Sequence, residues 1–94
     1  MDFRYFRDPD TGLPHIFGHG ITEHEVEEVL RGFGEDLPAA RSSRMKLGQT
    51  SAGRYLQIIY VPDEERDSVF VVTAFDMHEK AKKAYRRRQK RKRR

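Results

Sequence analysis

Ninety-four residues with a mean hydropathy of −0.88 and no cysteine fit one small domain, and exclude a disulfide framework or a thiolate metal centre. No apolar run approaches the roughly 18 residues of a helical membrane span, and the first residues lack a secretory signal pattern, so a soluble cytoplasmic protein is expected. The net charge of +4 divides sharply. Eleven of the 19 Lys and Arg lie in residues 80–94, which hold no acid, while the other eight stand among all 15 acids in residues 1–79. The body thus carries −7 and the C-terminal stretch +11, and the pI near 9.6 says little about the surface of the body.

The chain opens on "MDFRYF", whose alternation suits a short strand or an irregular arm, and Asp8-Pro9-Asp10-Thr11-Gly12 is turn chemistry. "GITEHEVEEVLRG" predicts a helix over about residues 23–31. Thr22 is a good N-cap, and Glu25 three positions on completes a capping box. Val26, Val29 and Leu30 form one apolar stripe, acids crowd the first turns, and Gly32 or Gly34 supplies the stop. "FGEDLPAARSS" reads as turn-rich, with Pro38 discouraging a continuous element.

Three strands are expected next. "SRMKLGQ" alternates Met45 and Leu47 with Arg44 and Lys46, so one face is buried and the other wet. Ser51-Ala52-Gly53 makes a hairpin connection. "RYLQIIYV" (54–61) and "SVFVVTAF" (68–75) are apolar on both faces, as central strands are, and the short connections favour an antiparallel meander. Within the first of these, Tyr55 and Tyr60 point to opposite faces, one into the core and the other free to stack a base. "DMHEKAKKAYRRR" then predicts a helix whose Met77, Ala81, Ala84 and Tyr85 share a stripe. Beyond about Arg88 nothing apolar remains. The reading is therefore an α+β domain over residues 1–88, with a small antiparallel sheet, one helix before it and one basic helix after it, followed by a disordered basic tail over 89–94.

"HGITEHEVEEVL", "GQTSAGRYLQIIYV" and "VFVVTAF" followed by a basic helix resemble the BrnT-like and RelE-like toxin families, and a related small domain family of unknown function, across roughly residues 15–85. The resemblance implies a metal-independent endoribonuclease toxin of a type II toxin–antitoxin module. Its target would be RNA free or on the ribosome, its chemistry carried by Arg, Lys, His or Tyr side chains, and its partner a cognate antitoxin protein. Asp76 stands where a BrnT-like protein more usually carries a basic residue.

Cleavage through a 2′-hydroxyl needs a proton-transfer group and cations for the charged phosphorane. His78 after the last strand is the candidate acid or base, and Arg44, Lys46 and Arg54 are the candidate phosphate ligands. Lys82, Lys83, Arg86, Arg87 and Arg88 would draw in RNA, with Tyr85 either stacking a base or packing beside Ala81. The strand cations would have to converge with the basic helix on one phosphate-receptive hollow. His15, His19 and His24 read as structural or surface residues: the spacing of His15 and His19 suits a helical face, but Gly18 interrupts it and no HExxH pattern follows. Neither a metal nor another cofactor is expected. The alternatives are a non-catalytic RNA-, DNA- or ribosome-binding module that uses the basic helix, and a protein-interaction domain with an acidic partner.

Overall fold

The computed structural model describes residues 1–92. Five strands form one mixed sheet: β1 (Asp2–Tyr5), β2 (Glu35–Pro38), β3 (Arg44–Gln49), β4 (Tyr55–Asp63) and β5 (Ser68–Asp76), in spatial order β1-β5-β4-β3-β2. The three long strands are the expected meander, each antiparallel to the next. The sheet is wider than expected on both sides. β1 pairs in parallel with β5, and β2 pairs antiparallel with β3. Pro38 does not prevent β2, because it is the last residue of a strand at the sheet's edge, where a missing N–H costs no ladder bond. One helix precedes this meander and one follows it: α1 (Glu23–Arg31) and α2 (Glu79–Lys92). A 3₁₀ turn over His15–His19 links β1 to α1.

α1 starts where its capping box dictates. The Thr22 hydroxyl accepts from the Glu25 amide at 3.2 Å, and the Glu25 carboxylate accepts from the Thr22 amide at 3.0 Å. Val26 and Val29 face the sheet and are almost fully buried. They meet Leu56, Ile58 and Tyr60 of β4 and Val69, Val71 and Ala74 of β5, together with Tyr5, Ile16 and Ile21. Because side chains alternate along a strand, Tyr55 and Leu47 face the other way, and there Met77 and Tyr85 cover them. The two helices therefore lie on opposite faces of the sheet, and the second, smaller core is the one beneath α2.

α2 continues through Lys92, so residues 89–92 are helical rather than the disordered start of a tail. The reason is a tether that composition does not reveal. Arg88 donates two hydrogen bonds, at 2.7 and 2.8 Å, to Glu35 on β2, and Gln89 adds a third at 3.5 Å. Arg93 and Arg94, the rest of the expected tail, lie outside the described residues.

α1 approaches β3 closely at Gly48, where a Cβ would stand 2.8 Å from Cγ1 of Val29. Gly48→Ala is expected to lower stability by about 1–3 kcal/mol, the usual cost of overpacking a well-filled contact. Urea denaturation checks it, and Gly53→Ala in the β3–β4 hairpin, where no side chain crowds the Cβ position, separates the packing effect from backbone strain.

Candidate nucleic-acid interface

The three cations and the histidine considered for phosphoryl chemistry each have a structural duty of their own. Arg44 and Lys46 sit on the α1 face of β3. Arg44 donates to Asp36 of the adjacent edge strand at 2.8 Å, and Asp36 also accepts from the Tyr60 hydroxyl at 2.5 Å. Burial alone would raise the Asp36 carboxyl, but the hydrogen bonds from Tyr60 and Arg44 hold it below its ordinary range. The Tyr60 phenol is pushed up to about 12, first by burial and then by Asp36, which leaves it protonated and donating. Lys46 is almost buried, and its ammonium donates to the Gly32 carbonyl at 2.9 Å, where α1 ends. A cation is favoured at that end by the helix dipole.

Arg54 is the most heavily engaged side chain of the domain. Its guanidinium grips Asp76 with two bonds of 2.7 and 2.9 Å and reaches both Glu25 oxygens at 3.1 Å. It also donates to the Gly20 carbonyl at 2.9 Å, which joins β4, β5, the start of α1 and the preceding turn. Hydrogen bonding to Asp76 raises the guanidinium further. The Asp76 carboxyl is lowered by Arg54, and that of Glu25 chiefly by the Thr22 amide and then by Arg54. Asp76, in place of a basic residue after the strand, is thus the bidentate partner of Arg54. His78 is exposed, and its Nδ1 accepts from the Ala81 amide at 3.3 Å, capping α2. Arg44 and Lys46 lie on the face opposite α2, so the expected convergence of strand cations with the basic helix does not occur.

A different set of residues does come together. Lys83, Arg86, Arg87 and Lys90 follow one another at i, i+3, i+4 and i+7, one side of α2. With Phe33, Gln49, Tyr55, Tyr85 and Gln89 they line a recess of about 660 Å³. Among the described residues none of these four cations makes an ion pair, unlike Arg88, which Glu35 holds, and Lys82, which lies 3.9 Å from Glu79 and 5.2 Å above the Tyr55 ring. Tyr85 is buried and meets Tyr55 edge-on at 6.1 Å, so it props the platform that Tyr55 presents. Of the two strand tyrosines, Tyr60 is buried in the main core and Tyr55 is half-buried beside Tyr85.

Phe33 is 98% exposed on the rim of this recess. Sequence reading passed over it, although a signal exists: Gly32 and Gly34 flank it just past a helix stop, where neither helix nor strand can turn the ring inward. Gly34 cannot carry a side chain there, because a Cβ would collide with the Leu47 carbonyl. Lys90 was missed because the helix was expected to end before it.

The carboxyls of Glu25, Glu35, Asp36 and Asp76 all lie below their ordinary values of 4.5 or 3.8, so each stabilises the fold above that range and ceases to as pH falls through its depressed value. Stability is therefore expected to be full at neutral pH and to fall steeply below about pH 4. Arg54→Met is expected to cost about 1–3 kcal/mol at pH 7 and to flatten the fall on acidification, measured by urea denaturation at several pH values. No helix among the described residues is long and apolar enough to cross a membrane. Comparison with protein-family models, curated proteins and solved structures finds no match to this chain.

Proposed function

We propose that this domain is a non-catalytic binder of single-stranded nucleic acid, RNA in the first instance, through the recess beneath α2. The observation that carries the reading is the row of Lys83, Arg86, Arg87 and Lys90, unpaired among the described residues and bordered by the exposed Phe33 and the Tyr55 ring. Proteins that hold single strands without strong sequence preference combine these two elements: cations that track the phosphates and aromatic faces on which bases stack. A row at i, i+3, i+4 and i+7 spans about two turns, roughly 10 Å, which matches two or three phosphates of an extended strand.

The ribonuclease-toxin reading is the weaker one. It needs Arg44, Lys46, Arg54 and His78 around one scissile phosphate. Three of these are held by Asp36, the Gly32 carbonyl, Asp76 and Glu25, and none lines the recess. Releasing Arg54 alone would leave two carboxylates without their partner.

Fluorescence anisotropy with a labelled 12-nucleotide RNA tests the proposal. Binding is expected to weaken with salt at a slope near −0.7 per phosphate contacted, so about −1.4 to −2.1 for the two or three phosphates this row spans. Exchanging Lys83, Arg86, Arg87 and Lys90 together for Gln should abolish that slope. Phe33→Ala should cost about 1–3 kcal/mol of binding with the slope unchanged. The RNA should stay intact on prolonged incubation. Cleavage that depends on Arg54 and His78, or affinity indifferent to the four-cation variant, overturns the reading.

A further inference from the structure

Away from α2, the segment between β1 and α1 assembles a second cluster that the proposed function does not use. Asp8 Oδ1 accepts from Nδ1 of His15 at 2.9 Å, and Nε2 of His15 stands 3.3 Å from Nε2 of His19. A carboxylate only accepts, so Nδ1 of His15 carries the proton and its Nε2 presents a lone pair toward His19. The two rings are 5.0 Å apart between centroids at 75°. A collinear N–H···N bond of this length would put the centroids roughly 5.6 Å apart, so the two rings do not meet end to end, and a separation near 5 Å is also what two imidazoles bound to one tetrahedral ion would show. Two imidazole nitrogens bound at 2.0–2.1 Å to one tetrahedral ion stand about 3.3–3.4 Å from each other, the separation found here.

We propose that His15 and His19 form a site for a late first-row divalent cation of the zinc or nickel type, with Asp8 as the group that orients His15. The carboxylate on the far nitrogen of a ligating imidazole is the arrangement that fixes tautomer and ring direction in metal sites. The loop carrying it is pinned by four hydrogen bonds. Asp8 N donates to the Leu13 carbonyl at 3.0 Å and Gly12 N to the Asp8 carbonyl at 2.8 Å. Arg7 donates to the Gly12 carbonyl at 2.9 Å, and His15 N to the Phe6 carbonyl at 2.8 Å. The i, i+4 spacing works in spite of Gly18, because that glycine lies inside the 3₁₀ turn and does not end it. No third His, Asp or Glu joins to make a larger ligand group among the described residues, so the remaining positions of the ion are open to water or an added ligand. His19 is exposed and His15 partly so, which leaves an entry path.

Isothermal titration of Zn²⁺ and of Ni²⁺ into the full chain, in a non-coordinating buffer, is expected to show one ion per chain. His19→Ala removes an exposed side chain that the fold does not need, and should weaken binding by roughly tenfold or more. Asp8→Asn should weaken it by about 10–100-fold, the usual effect of losing such an orienting carboxylate. His24→Ala should leave it unchanged. In ¹H–¹⁵N spectra of the histidine side chains, the Nε2 signals of His15 and His19 should move together on metal addition. Absence of binding by the intact chain, equal affinity in His19→Ala, or heat released with both Nε2 signals unmoved overturns the proposal.

Discussion

The contact between Arg88 and Glu35 decides what α2 is. That helix packs Ala81 and Tyr85 against the sheet, beside Met77 just before its start, while nine cations crowd its 14 residues. Hydrophobic contact alone would leave its second half unanchored. Glu35 is 8% exposed, on an edge strand with Leu47 beside it, and it takes both guanidinium bonds of Arg88. An exposed ion pair contributes about 0–1 kcal/mol, but this carboxylate has been taken out of water, and leaving it unpaired would cost about 3–5 kcal/mol. The pair therefore fixes the rotation of α2 about its own axis. With Arg88 turned toward β2, Lys83, Arg86, Arg87 and Lys90 are turned toward the recess.

The same accounting of acids separates structural charge from free charge elsewhere. The body, residues 1–79, carries an excess of carboxylates over Lys and Arg. In the fold many of those carboxylates are partners: Asp36 for Arg44, Glu25 and Asp76 for Arg54, Glu35 for Arg88, Asp8 for His15 and Glu28 for the Ser51 amide. Among the described residues, most of the cations left without an ion pair stand on α2, with Lys83, Arg86, Arg87 and Lys90 along one side of it. A protein whose body is acidic can in this way carry a locally cationic groove, which is the quantity that governs encounter with a phosphate chain.

What the sequence made legible follows from local chemistry. The capping box placed α1 to the residue, because Thr22 and Glu25 satisfy each other without help from the rest of the chain. The alternation in β3 correctly divided Met45 and Leu47 from Arg44 and Lys46. It did not tell which face would hold α1 and which α2, so the face of Arg44 and Lys46 was expected to be wet and read as a phosphate site, whereas α1 ends over it and Lys46 is buried there, capping the helix. β2 escaped notice because its four residues, Glu-Asp-Leu-Pro, have poor strand propensity and depend on pairing with β3. Arg54 looked like a free cation only because Asp76 and Glu25 lie 22 and 29 positions away. Long-range ion pairs have no signature in spacing, and here they commit Arg54 and Arg44 to holding the fold together.

α2 also stores a repulsion that bears on the proposed reading. Lys82 and Arg86, Lys83 and Arg87, Arg86 and Lys90, Arg87 and Arg91, and Arg88 and Lys92 are like charges at i, i+4. Each such pair disfavours the helix by about 0.2–0.5 kcal/mol, so the five together oppose it by roughly 1–2.5 kcal/mol. The Glu35 tether and the small core under Tyr85 must offset that before any ligand arrives. A phosphate chain lying along Lys83, Arg86, Arg87 and Lys90 would remove much of the repulsion, so binding and helix order would reinforce one another through the same charges. Salt acts on both terms with opposite sign. Screening relieves the repulsion within α2 while weakening its hold on phosphate, so helix stability and RNA affinity should move apart as ionic strength rises.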